Sequence, residues 1–134
     1  MEDADVERVW VAVRDAVLAV HGEFAESASV ETSDDQGLTI YPHRPGAPII
    51  WLSIVTEHEI SCDIAGTGFW IWEDEPSELP IEVSRVVRNV ILHGFLQAGQ
   101  TGRVPTSDGH IAVGLWTFTP WRWLRPKKTF LSFV

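Results

Sequence analysis

Cysteine is nearly absent from this chain: Cys62 is the only one among its 134 residues. A single cysteine excludes an intramolecular disulfide, which is typical of proteins in a reducing compartment. No uncharged apolar run approaches the roughly 18 residues that cross a bilayer, and the acidic N-terminus differs from a basic secretory signal. The sequence therefore predicts a cytoplasmic protein with no integral membrane segment. Its eight arginines against two lysines and one asparagine indicate a GC-rich, bacterial source.

The chain also lacks the motifs by which common enzymes are recognised. None of its five histidines pairs with a cysteine or another histidine at metal-ligand spacing, and neither a Gly-x-Ser-x-Gly elbow nor a phosphate-binding loop is present. The remaining nucleophile candidates are Cys62, expected in a buried strand, and a turn that contains Asp108 and His110. The sequence thus predicts no cofactor, no metal and no catalytic residue. A small hydrolase-type enzyme is the weakest alternative.

What the chain has in abundance is negative charge, and that charge is unevenly distributed. Residues 1–121 hold all nineteen acidic side chains and six arginines, whereas residues 122–134 hold four basic side chains and no acid. The net charge of −9 argues against a nucleic-acid partner, because phosphate contacts need a basic face. It is compatible with a basic protein partner, which an acidic body attracts by electrostatic steering.

The C-terminal segment, about residues 119–134, combines its basic charge with many aromatic residues. Such a segment docks on its own acidic body, on a protein partner or on a membrane surface. An edge strand docked on the body is the simplest interpretation, because Leu131 and Phe133 share one side of an extended chain. Tryptophan and arginine dominate protein interfaces, so the segment is also a candidate partner site. Its candidate residues are Trp121, Arg122, Trp123, Arg125, Lys127 and Lys128.

Hydrophobic periodicity predicts a single α+β domain over residues 1–134. Valines at helical spacing indicate an N-terminal helix. Residues 27–73 then alternate as in an antiparallel meander of about five strands, because their short loops cannot make parallel crossovers. A second helix follows Pro76 and ends at Gly99, and one or two C-terminal strands follow, beginning at Ile111. The helices should cover one face of the sheet.

Two further groups of residues are candidates for binding. An acidic cluster between the meander and the second helix either complements the helix dipole or receives a basic partner. It consists of Glu73, Asp74, Glu75 and Glu78. Tryptophans in neighbouring strands are either ordinary core residues or the lining of an apolar groove, between the sheet and a helix, for a small ligand. These are Trp51, Trp70 and Trp72.

Together these features favour a non-enzymatic, acidic module that binds a protein and masks it, in the manner of a toxin-immunity factor or a secretion-type chaperone. The alternative is a protein that binds a small apolar or aromatic ligand through the sheet tryptophans. Residues 69–72 place bulky side chains on both sides of their strand. The second face of the sheet should therefore be covered, either by the C-terminal segment or by a second subunit, and the latter predicts a homodimer.

Overall fold

The computed structural model describes residues 3–33, 36–98, 101–106, 109–114 and 127–134. Helix α1, a five-stranded antiparallel sheet, helix α2 and a second antiparallel sheet follow one another along these residues. The predicted α+β class is confirmed, and so are the N-terminal helix, the five-stranded meander and the second helix. Within the described residues, neither helix is long and apolar enough to cross a membrane.

The two helices lie side by side over one face of the first sheet. Helix α1 spans Asp3–Glu23, and helix α2 spans Leu79–His93 after the 3-10 turn Pro76–Glu78. Each helix buries a stripe of valines spaced three or four residues apart, as an amphipathic helix does on its core side. The buried stripes consist of Val6, Val9, Val13, Val17 and Val20 in α1 and of Val83, Val86, Val87 and Val90 in α2.

The first sheet is a meander in which each strand pairs with the next along the chain. Its strands are β1 (Ala28–Ser33), β2 (Gly37–Pro42), β3 (Ile50–Thr56), β4 (Glu59–Ile64) and β5 (Thr67–Trp72). Side chains alternate between its two faces, and the face under the helices is apolar and buried. The inward residues are Leu38, Ile40, Ile50, Leu52, Ile60, Cys62, Ile64, Phe69 and Ile71. The helices therefore cover one face of the sheet, as predicted.

A second sheet follows α2. Its strands are β6 (Phe95–Ala98), β7 (Thr101–Thr106), β8 (Gly109–Gly114) and β9 (Lys127–Phe130), in the order β8-β7-β6-β9. The described residues thus contain four C-terminal strands where the sequence indicated one or two. The Gln97 side-chain amide donates to the hydroxyl of the buried Thr67, at 2.9 Å, and so joins β6 to β5 of the first sheet.

Helix α2 ends five residues before the predicted boundary, and the prediction of its end at Gly99 was wrong. Gly94 has φ 80° and ψ −156°, a conformation that essentially only glycine adopts, and the chain leaves the helix there. Phe95 continues the apolar periodicity of the helix, but it is buried as the first residue of β6. Periodicity alone does not separate a helix end from a short buried strand.

The end of the C-terminal segment is docked on the body as an edge strand. Strand β9 pairs with β6, and Phe133 beyond it is only 3% exposed. The Phe133 amide donates to the Ile91 carbonyl at 2.8 Å, and the Leu131 amide donates to the Gly46 carbonyl at 2.8 Å. Residues 127–134 therefore belong to the folded core structure. Trp121, Arg122, Trp123 and Arg125 lie outside the described residues.

We expect Gly94→Ala to lower the free energy of unfolding by about 2–4 kcal/mol. The new Cβ would be held at a positive φ and would overlap the Phe130 carbonyl oxygen of β9. Gly22→Ala is the matched control, because a Cβ at this helical position meets nothing within 4 Å. The control should be neutral or gain up to about 1 kcal/mol. Urea unfolding of both variants measures the difference, and equal stabilities would contradict the docking of β9 against Gly94.

Candidate functional site

The sheet tryptophans lie on the face of the first sheet that points away from the helices. Trp70 is 62% exposed, Trp72 is 57% exposed and Trp51 is 42% exposed. The space between sheet and helices is filled by the apolar residues of the core. The expectation of a tryptophan-lined groove between the sheet and a helix was therefore wrong. The tryptophans are also not core residues.

The β4–β5 hairpin determines which side chains of β5 face outward. Ala65 and Gly66 form its two-residue turn with φ 55° and 86°, the pattern of a tight hairpin with matching strand twist. The Asp63 carboxylate accepts the Gly66 amide at 2.8 Å and stabilises the turn. A slip of one residue would bury Trp70 and Trp72 and expose Phe69 and Ile71, so this turn fixes the composition of the outer face.

Trp72 is held in place by contacts on two sides. Its indole stacks on the His58 ring, with centroids 5.3 Å apart and planes 24° from parallel. Its Nε1–H donates to the Asp74 carboxylate at 3.2 Å. His58 lies in the β3–β4 turn, and its Nδ1–H donates to the Glu73 carbonyl at 3.0 Å, because a carbonyl can only accept. His58 Nε2 is 3.5 Å from the Glu57 carboxylate.

These contacts join two groups that the sequence analysis kept apart. The acidic cluster follows directly after Trp72, and the cross-strand partner of Trp72 on β4 is Glu59. The paired residue of Trp51 on β4 is Asp63, which also points outward. We call the combined surface the acidic–aromatic face. Its residues are Trp51, Glu57, Glu59, Asp63, Trp70, Trp72, Glu73 and Asp74.

The acidic–aromatic face carries charge of one sign. Arg44 is the only lysine or arginine between residues 27 and 84. Its guanidinium donates to the Ser132 hydroxyl at 3.2 Å and to the Val134 carbonyl at 3.1 Å, so it is engaged by the C-terminal segment. The carboxylates around Trp72 therefore have no lysine or arginine of the first sheet to pair with. Among the described residues, Arg85 of α2 interacts with the charge of Glu73, and its main partner is Glu82. The acids of this face thus favour a negative potential near the exposed indoles.

The remaining two acids of the predicted cluster lie slightly apart from the tryptophans. Glu75 precedes the 3-10 turn and Glu78 precedes helix α2, and both are exposed. Neither side chain makes a capping hydrogen bond. Hydrogen-bonded helix capping thus does not account for these two acids, although a carboxylate at Glu78 still favours the helix dipole.

Of the basic C-terminal candidates, the structure describes only the last two. Lys127 and Lys128 lie on β9, opposite Ala98 and Gln97 of β6. The Lys128 ammonium is exposed and lies 4.8 Å from the centroid of the Phe130 ring, a cation–π distance. The backbone of both lysines thus lies on the second sheet, whereas the acidic–aromatic face lies on the first.

The nucleophile candidates are placed only in part. Cys62 is fully buried on β4, where burial, and secondarily the Asp63 charge, raises the pKa of its thiol. Asp108 lies outside the described residues, and of His110 only the backbone is described, in β8. Within the ranges that the structure describes, no three His, Cys, Asp or Glu side chains are grouped as a metal would need.

One polar pair was missed by the sequence analysis. The Ser29 hydroxyl lies 2.6 Å from His43 Nε2, and His43 Nδ1–H donates to the Glu26 carbonyl at 2.9 Å. The second bond places the proton on Nδ1, so Nε2 accepts from the serine. Both side chains are exposed, and the pair links the start of β1 to the end of β2. We assign it a structural role, because His43 lies just beyond the β1–β2 pairing, where its amide also donates to the Ser27 carbonyl at 2.9 Å.

Comparisons with protein-family models, with curated proteins and with solved structures find no match to this chain. A role for the acidic–aromatic face is therefore proposed from its own chemistry.

The buried thiol of Cys62 predicts a pH-dependent loss of stability. Because the folded pKa is raised above the ordinary value of 9.0, the unfolded state releases its proton first, and stability falls as pH rises above about 9. Between pH 8 and pH 10 the wild type should lose about 1–2 kcal/mol more than Cys62→Ala, which has no thiol to titrate. Urea unfolding at each pH measures this difference. Parallel pH profiles of the two proteins would contradict it.

Proposed function

We propose that this protein is a non-enzymatic binding module that captures a basic protein partner on its acidic–aromatic face. The observation that carries the proposal is the position of Trp72, which is more than half exposed and lies among His58, Glu59 and Asp74. Exposed tryptophans are enriched at interface hot spots, whereas surface aromatics without a partner expose apolar area to water.

The exposed tryptophan area supplies part of what binding needs. With about 250 Å² for a tryptophan side chain, the exposed parts of the three indoles total roughly 400 Å². Covering that area gains about 10 kcal/mol at about 25 cal/mol per Å². Association consumes about 4–15 kcal/mol, so the indoles alone roughly offset its cost. The proposed interface therefore also needs surrounding contacts, and the carboxylates add selectivity and a faster encounter with a basic partner.

The shape of the face favours a macromolecule over a small ligand. Trp51 and Trp70 lie on β3 and β5, with β4 between them, so they are roughly 10 Å apart across the sheet. The Trp51 indole leans toward β2, since its Nε1 lies 3.8 Å from where a Cβ of Gly37 would be. A site for a small molecule encloses most of the ligand's surface, and an open strand surface of this kind does not. The alternative of a small apolar ligand is thus less favoured.

Charge also favours a basic partner over a second copy at this face. A face-to-face pair would set Glu59, Asp63 and Asp74 against the same residues of the other copy, and like charges at short range are destabilising. The predicted homodimer therefore stays a prediction that needs another surface. A module that covers a basic surface of its client suits a partner-masking role, such as a cytoplasmic immunity factor or secretion-type chaperone in a bacterium.

The proposal is tested by retention of basic proteins on the immobilised protein. We expect a bacterial lysate to yield proteins that bind at low salt and elute at high salt, because charge attraction is screened. Trp70→Ala/Trp72→Ala should lose most retention by removing apolar contact area. Glu59→Gln/Asp74→Asn should also lose most retention, because it removes two negative charges that attract basic proteins.

The control variant is Ile81→Ala/Asp15→Asn, which removes one exposed apolar side chain and one exposed acid from the helices. It should retain the same proteins as the wild type. Equal retention by all the variants would contradict the assignment to this face, and retention of predominantly acidic proteins would contradict the partner's chemistry.

A further inference from the structure

We infer that the Trp72 end of the acidic–aromatic face is a recognition site for an arginine side chain of the partner, in preference to lysine. The inference rests on the proposed function and names the chemical group of the partner that the surface binds. It is drawn from four neighbouring features of the first sheet: the fixed indole of Trp72, the exposed Trp70 beside it, and the carboxylates of Glu59 and Asp74.

The indole of Trp72 is oriented before any partner arrives. His58 stacks against one side of it, and Asp74 accepts its N–H. His58 is itself fixed by the Glu73 carbonyl, and the Glu73 amide donates back to the His58 carbonyl at 2.9 Å. A side chain that is already ordered loses little conformational entropy on binding, so its contacts contribute more fully to affinity.

The spacing of Trp70 and Trp72 suits one planar group. The two residues point to the same side of β5, and residues two apart in a strand are separated by roughly 7 Å. Two van der Waals contacts of about 3.5 Å each span that distance. A flat guanidinium has the thickness to lie between two side chains at this spacing, and the indole surface of Trp72 that His58 does not cover is one it can stack on.

The carboxylates beside the indoles favour one kind of basic side chain over another. Glu59 lies opposite Trp72 on β4, and Asp74 is hydrogen-bonded to the indole. Arginine stacks on an aromatic ring and at the same time donates in a fork to a carboxylate. Lysine offers a point charge on a flexible stem and does not stack as a plane. The combination of an indole and a carboxylate at adjacent cross-strand positions therefore matches guanidinium better than ammonium.

The test uses two synthetic peptides of equal length and equal charge, in which four arginines or four lysines alternate with glycine and serine. A peptide of glycine and serine alone is the blank. Titration calorimetry with the wild-type protein gives the three affinities. We expect the arginine peptide to bind about five- to thirtyfold more tightly than the lysine peptide, as a partly desolvated cation–π contact predicts.

Two variants locate the preference on the sheet. Trp72→Leu keeps an apolar side chain but removes the π surface, so the arginine preference should fall to less than twofold. Trp51→Leu lies on the same face but leans away toward Gly37, so the preference should persist even if both affinities fall. The ratio of the two peptide affinities for the wild-type protein requires no variant. It therefore tests the inference even where a substitution unfolds the protein.

The possible outcomes distinguish a failure of this inference from a failure of the proposed function. Equal binding of the arginine and lysine peptides, both above the blank, would overturn the arginine site and leave a general basic partner. Binding of neither peptide above the blank would overturn both. Sedimentation of the wild type alone tests the other occupant: self-association that Trp72→Leu abolishes would assign this end of the face to a second copy and overturn the inference.

Discussion

The fold depends on the burial of one face of a five-stranded sheet under two valine-rich helices. Val13 and Val83 are fully buried at the centre of the helix layer, and the inward residues of β2 to β5 are buried beneath them. Because side chains alternate along each strand, the burial of one set fixes the other set in an outward position. The two-residue turn at Ala65 and Gly66 carries this alternation from β4 into β5 without a slip. The core packing therefore determines which positions lie on the outer face. It does not determine which side chains those positions carry.

That composition is unusual for a face that is in contact with water. Trp70 and Trp72 expose more than half of their surface, although the chain has abundant acids and other polar residues that could occupy solvent-facing positions. Burial of the opposite face already supplies a contiguous core, and the outward indoles are not part of it. In the proposed binding role, their apolar area and the carboxylates beside them act in complementary ways. The area would contribute non-directional affinity, whereas the charge would distinguish one kind of partner from another.

Much of the fold was predictable from the sequence, because periodicity reports which elements form and which residues share a side. Both helices, the meander and the inward position of Cys62 followed from it. The outward position of Trp70 and Trp72 did not, since Phe69 and Ile71 are equally apolar and alternation alone cannot say which pair faces the helices. The pairing of Glu59 with Trp72 needs the hairpin register, which depends on turn geometry. The stop of α2 at Gly94 was also hidden, because Phe95 continues the helical pattern while the backbone of Gly94 leaves it.

The docked C-terminal strand places two lysines of the basic segment on the second sheet. Phe133 is buried under the end of α2 and anchors β9, so Lys127 and Lys128 are held beside β6 rather than on the first sheet. Arg44, the one basic residue among the first five strands, turns toward the same C-terminal segment. Among the described residues, both arrangements place these basic residues away from the carboxylates next to Trp72. In the proposed binding role, exposed indoles beside carboxylates favour a cation that can also stack, and they disfavour an identical copy of the same face. The docking of the C-terminal strand thus supports the chemistry of a face to which that strand contributes no residue.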